Sequence, residues 1–145
     1  MKQETRSRKV YGYKQTIPTR WMDNDVYGHV NNVNYYSFFD TAVNQFLINK
    51  GILDIHAGET IGLVVETGCR YHASITFPQS VLACVAVSHI GKSSVRYEIG
   101  LFIDEQQEAA AEGFFVHVYV DRETRRPTSI PETMRAQLEA IALSV

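Results

Sequence analysis

Between residues 33 and 50, apolar side chains recur at helical spacing: Tyr35, Tyr36, Phe38, Phe39, Ala42, Val43, Phe46, Leu47 and Ile48. They cover well over half the circumference, wider than the stripe of a surface helix, so a helix buried on most sides is expected. Gly51 follows as its natural stop. Before it, residues 10–21 read as a strand in which Pro18 marks an edge or an irregularity. After a loop at 52–60, four β-rich stretches follow without an intervening helix, at 62–76, 81–90, 94–103 and 111–120. In the third, Val95, Tyr97, Ile99 and Leu101 alternate with Arg96, Glu98 and Gly100, as a strand with one wet face should. Turn signals at Pro78-Gln79-Ser80, Gly91-Lys92-Ser93 and residues 104–107 predict hairpins between them. Ser129 and Glu132 have capping-box spacing, and with Pro131 in the first turn they predict a short final helix.

This order predicts an α+β domain in which a curved antiparallel five-stranded sheet wraps around one long central helix. The last four strands form a meander, and a short C-terminal helix closes the chain. Open sheet edges invite pairing with a second copy, so a homodimer or homotetramer is expected. Residues 1–9 are charged and poor in apolar side chains, which predicts a flexible N-terminus ahead of a single domain at 10–145.

A formal net charge of -2 argues against a sequence-independent grip on nucleic acid, despite basic clusters at 6–9 and 122–126. Cys69 and Cys84 lack CxxC or zinc spacing and read as reduced, buried thiols. His56, His72, His89 and His117 likewise lack zinc spacing with either cysteine. No run approaches the roughly 18 apolar residues of a membrane span, and a cytoplasmic location follows by default.

The densest chemistry lies just before the apolar helix, in Asp-Asn-Asp-Val-Tyr-Gly-His-Val-Asn-Asn at 23–32. Two carboxylates, an imidazole, a glycine and several amides at the mouth of a buried helix supply what anion stabilisation and acid–base chemistry require. The bland alternatives are turn-capping aspartates, an Asn31 or Asn32 that merely caps the helix, and a buried, hydrogen-bonded His29. Gly28 suits a positive φ or a close substrate approach. Asp23, Asp25 and Gly28 also match three positions of a calcium loop. Tyr27 and Asn34 stand where that loop needs an oxygen ligand and a bidentate Glu, so no metal site is expected.

Arg20, Asp23, Asp25, Gly28, His29, Asn31, Asn32 and Tyr35, the helix behind them and Gly91-Lys92-Ser93-Ser94-Val95 carry a resemblance over nearly the whole chain after Lys9. The chain resembles the hotdog fold, and within it the 4-hydroxybenzoyl-CoA thioesterase-like family of acyl-CoA thioesterases. That resemblance implies a hydrolase releasing free CoA and a carboxylic acid, with the catalytic carboxylate at Asp25 and polar partners at His29, Asn31 and Asn32. The plant acyl-carrier-protein thioesterases share an Asp-x-Asn-x-His arrangement here, in which Tyr27 replaces the Asn.

On this reading the N-terminus of the helix polarises the thioester carbonyl, and Asp25 acts as general base for water or as a nucleophile. The helix end favours the ionised carboxylate and weakens it as a base, whereas Trp21, Tyr35 and Phe39 push the other way; both roles stay open. Tyr27, Gly28, Tyr35, Val64 and Val65 are candidates for the acyl pocket. Lys92, Ser93 and Ser94, with Arg122, Arg125 and Arg126, are candidates for the pantetheine and phosphates of CoA. Asp40 on the helix and Glu66 are further acids near the pocket. No cofactor is expected, since coenzyme A is part of the substrate. The alternatives are a hotdog hydratase or dehydratase and a non-catalytic acyl-CoA-binding protein.

Overall fold

The computed structural model describes residues 5–51 and 59–144. The first four residues, most of the expected 52–60 loop and His56 lie outside them. β1 (Tyr13–Pro18) leads through a loop to α1 (Asn32–Asn49), then come β2 (Thr60–Tyr71), β3 (Ser80–Ile90), β4 (Ser94–Ile103), β5 (Ala111–Asp121) and α2 (Glu132–Glu139). The strands form one antiparallel sheet around the central helix, as the sequence predicts.

The helix buries Tyr35, Phe38, Phe39, Ala42, Val43, Phe46 and Leu47, a stripe at i, i+3, i+4, i+7 spacing. It is not buried on most sides, because Val33, Ser37, Asp40, Thr41 and Ile48 are exposed in the single chain. Phe39 is fully buried and presses against Gly113 of β5, where a Cβ would overlap its ring. Side chains of the concave sheet face, among them Val85, Tyr97, Ile99 and Phe115, complete this core.

The strand order is β1-β3-β4-β5-β2, not the expected meander. β2 pairs with β5, from Thr60↔Asp121 to Tyr71↔Ala111, and stands at the far edge from β1. The turn residues at 78–80 therefore close no hairpin. Instead residues 72–79 cross the end of the sheet, anchored by fully buried Ile75, whose carbonyl accepts the Val30 N–H at 2.7 Å. Burying Ile75 over the mouth of the helix outweighs the local turn signal, and this crossing forms one wall of the site below.

Among the described residues near the N-terminus, the Arg6 guanidinium meets buried Glu98 at 3.2 Å, and Tyr11 packs in a second cluster with Cys84, Ala86 and Phe102. The capping box at Ser129 does not form, and the cap is Pro131. Ile130 is buried and donates its N–H to the Lys92 carbonyl at 2.9 Å, which keeps the chain extended until that point. Cys84 is buried and Cys69 half-buried, both free, and burial pushes each thiol up to about 11.

Within this core, Tyr97 and Tyr119 share a 2.8 Å hydroxyl hydrogen bond, with His117 edge-on to both rings. His117 is 3% exposed, its Nδ1 has no partner among the described residues, and burial pushes its imidazole from 6.5 down to about 4. The native ring stays neutral where the unfolded one takes up a proton. Stability is therefore expected to fall as pH drops from about 6.5 to 4, by about 3 kcal/mol from this group. Urea unfolding at pH 7 and 4.5 should show that His117→Leu removes this part of the acid sensitivity.

Candidate active site

The loop between β1 and α1 is fixed by its backbone and by one of its two acids. Asp23 is 1% exposed, and its carboxylate accepts from the Arg20 N–H (2.7 Å), Nη2 (2.8 Å) and Nε (3.2 Å). Burial pushes this carboxyl up, but the hydrogen bonds and charge of Arg20 outweigh it and hold it below the usual range. The Asp23 carbonyl takes the Asn31 N–H and the Asn34 side-chain amide, tying the loop to the start of α1. On the other side the Asn24 side-chain oxygen accepts the Phe77 N–H at 3.2 Å. Asp23 is thus a structural anchor.

Asp25 faces outward instead. Its N–H donates to the His29 carbonyl (2.8 Å) and its carbonyl accepts the Gly28 N–H (3.1 Å), closing a turn in which Gly28 has φ +82°. That left-handed backbone is why glycine stands there. One carboxylate oxygen accepts the Tyr27 N–H at 2.9 Å, and no other hydrogen bond reaches the carboxylate among the described residues. The half-buried side chain sits on a ridge between two clefts. One, of about 500 Å³, runs between the loop and the crossing segment, with His29, Asn32, Tyr35, Tyr71, His72 and Ser74 among its walls. The other, of about 490 Å³, is bounded by Trp21, Met22, Asn24, Val26 and Gly28.

Asn31 is the N-cap of α1, its side-chain oxygen accepting the Val33 N–H at 3.1 Å. The Asn32 N–H donates to no acceptor among the described residues, and Asn32 lines the Asp25 cleft. That pairs an unsatisfied donor at the positive end of an 18-residue helix with a carboxylate in one crevice. Tyr35 is buried in the floor and stacks edge-on against Tyr71 at 4.9 Å.

Asp25, Tyr27, His29, Asn32 and Tyr35 are brought together, and Gly28 borders the second cleft. The His29 ring is exposed and makes no hydrogen bond to Asp25 among the described residues. Val64 and Val65 lie on the exposed edge of β2, outside the cleft. Lys92, Ser93 and Ser94 stand at the opposite end of the sheet, where the Ser93 carbonyl accepts the Tyr119 N–H at 2.7 Å. Arg122 follows β5 at that same end. The ten residues of β4 run between the two ends, a length of about 30 Å along the strand at 3.3 Å per residue. Asp40 is on the exposed side of the helix, accepting from Asn44. Sequence reasoning overlooked His72 and Ser74, because neither belongs to a motif and the crossing alone carries them to the cleft.

No curated protein matches the chain. It is similar to the PA5185 protein of Pseudomonas aeruginosa strain PAO1, at 52% identity over 96% of this chain and 97% of that one, with a TM-score of 0.93. A thioesterase of Thermus thermophilus, solved with coenzyme A and Zn, is 26% identical over 91% of this chain and 95% of its own, TM-score 0.75. The DHNA-CoA thioesterase of Staphylococcus aureus shares the fold at 22% identity and TM-score 0.76, over 88% of this chain and 86% of that one. The model of the thioesterase-like superfamily matches residues 19–138, which include the loop, the central helix and every strand but the first. The chain therefore belongs to the thioesterase-like superfamily, as a thioester hydrolase on the hotdog fold.

Proposed function

We propose that the protein hydrolyses an acyl-CoA thioester to free CoA and a carboxylic acid in the Asp25 cleft. The observation that carries this reading is one crevice lined both by Asp25 and by Asn32, whose backbone N–H is unpaired among the described residues. With the thioester oxygen on that N–H, negative charge developing in the tetrahedral intermediate meets a preorganised donor; one such donor is worth about 10²–10³ in rate. Asp25 then stands at the carbonyl carbon as the base for water or as the nucleophile. Coenzyme A in the Thermus thermophilus thioesterase supports a CoA ester as the substrate class.

The proposed enzyme is at least a homodimer. β2 leaves its outer edge unpaired among the described residues, with Leu63, Val64 and Val65 exposed and a register break between Val64 and Glu66. Trp21, Val26 and Tyr27, at 76%, 94% and 81% exposure, add apolar surface beside Asp25. Lys92 and the arginines after β5 lie too far from Asp25 to serve it within one protomer, but a partner can offer them. Val65→Asp is expected to shift the protein to a monomer in sedimentation velocity at micromolar concentration, with turnover lost in parallel. Free-thiol release from acetyl-, hexanoyl-, palmitoyl- and benzoyl-CoA tests the activity itself. Turnover of at least one is the expected result, and hydration of an unsaturated acyl-CoA without thiol release would favour a hydratase.

A further inference from the structure

Tyr71 is the last residue of β2 and pairs with Ala111, a fully buried member of the core between sheet and helix. Its ring stands edge-on to Tyr35 with centroids 4.9 Å apart, and its hydroxyl reaches the Asn32 carbonyl at 3.5 Å. These contacts fix the ring on the helix side of the sheet, across the first turn of α1, and Asn32, Tyr35 and Tyr71 all border the Asp25 cleft. The two tyrosines are held unequally: Tyr35 is 3% exposed and part of the core, whereas Tyr71 is 44% exposed. Beyond Tyr35 the core is full. Phe39 is fully buried against Gly113, and Phe38 and Phe115 are buried beside it. Beyond Tyr71 the packing is looser. Side chains alternate along a strand, so Cys69 is the next residue of β2 on this face, and it is half-buried. Cys69 and half-buried Tyr36 lie beside the Tyr71 hydroxyl. Tyr71 therefore stands between the cleft and the seam that continues between β2 and α1.

We propose that the Tyr35–Tyr71 pair is the end wall of the acyl cleft, with Tyr71 as the residue that limits acyl length, so that the substrate is a short-chain acyl-CoA. The assignment rests on the thioesterase reading above, with the carbonyl oxygen at the Asn32 N–H. The wall is close to that donor, because Tyr35 follows Asn32 by three residues, about 4.5 Å along the helix axis. A short acyl group fits in front of the pair. A long one has to turn out into water, and each methylene left uncovered forfeits about fourfold in binding. The size of the ring sets the limit, not its hydroxyl, whose 3.5 Å contact is at the outer edge of hydrogen bonding. Removing the ring joins the cleft to the seam at Cys69 and Tyr36, where further methylenes find cover.

The test is kcat/KM for thiol release from acetyl-, hexanoyl-, benzoyl- and palmitoyl-CoA, the last below its micellar concentration, by the parent, Tyr71→Ala, Tyr71→Phe and Tyr71→Trp. The parent is expected to favour hexanoyl-CoA over palmitoyl-CoA. Tyr71→Ala should raise the palmitoyl-to-hexanoyl ratio by about 10-fold or more, while Tyr71→Phe, which keeps the ring, leaves it within about threefold of the parent. Tyr71→Trp thickens the wall and should lower the hexanoyl-to-acetyl ratio. A parent that favours palmitoyl-CoA overturns the proposal. So does a parental ratio in Tyr71→Ala, or a Tyr71→Phe that shifts it as far as Tyr71→Ala. If Tyr71→Ala melts out, an unmoved hexanoyl-to-acetyl ratio in Tyr71→Trp overturns it alone. A parent that releases thiol from none of the esters removes the thioesterase reading itself, an outcome distinct from a working parent with an indifferent Tyr71→Ala.

Discussion

Asp25→Asn is expected to lower kcat by about 10²–10⁴ while the melting temperature stays within a few degrees of the parent. The substitution keeps the size of the side chain and an oxygen for the Tyr27 N–H, the single hydrogen bond the carboxylate makes among the described residues. The turn itself closes through backbone groups of Asp25, Gly28 and His29, which the substitution leaves alone. What is lost is the negative charge and the basic or nucleophilic oxygen at the cleft. KM should change little, because the cleft keeps its walls and the helix end keeps the Asn32 N–H, unpaired among the described residues. Thiol-release kinetics with differential scanning fluorimetry on the same preparations checks both halves. Parental turnover in this variant would remove Asp25 from the mechanism.

Two residues earlier, the same side-chain chemistry should fail in the opposite way. Asp23→Ala strips the partners from the Arg20 N–H and guanidinium and leaves a hole where a carboxylate was almost fully buried. The expected cost is about 2–4 kcal/mol, read as a fall in melting temperature of about 5–15 °C for a chain of this size. The pH dependence has a definite sign. Because Arg20 holds the Asp23 carboxyl below the usual carboxylate range, its stabilisation is present above that range and is lost as pH falls through the lowered value. Asp23→Ala should flatten the low-pH end of the stability curve, whereas His117→Leu flattens the region above it. Asp23→Asn, which retains an acceptor for the Arg20 N–H, should fall between parent and Asp23→Ala.

The contrast between the two aspartates also marks where sequence reading stops. Both lie in the same polar run, and nothing local separates an acid turned inward onto Arg20 from one left at a cleft. The stripe of α1 was legible because helical periodicity is a local property, and the α+β class followed from the order of elements. The placement of β2 was not legible, since its pairing with β5 depends on a crossing held by Ile75 and not on any turn signal. Tyr71 escaped for the same reason: only the placement of β2 brings its ring against Tyr35 and the start of α1. The Gly91-Lys92-Ser93 turn was seen as a turn, but its distance from Asp25 is a property of the strand register.

The most direct measurement is a crystal structure of Asp25→Asn with an acyl-CoA bound. The thioester oxygen should lie about 3 Å from the Asn32 N–H, with the carbonyl carbon beside residue 25 and the acyl chain running into the cleft past Tyr35. A thioester seated elsewhere, with residue 25 turned to bulk water in every protomer, would contradict the account.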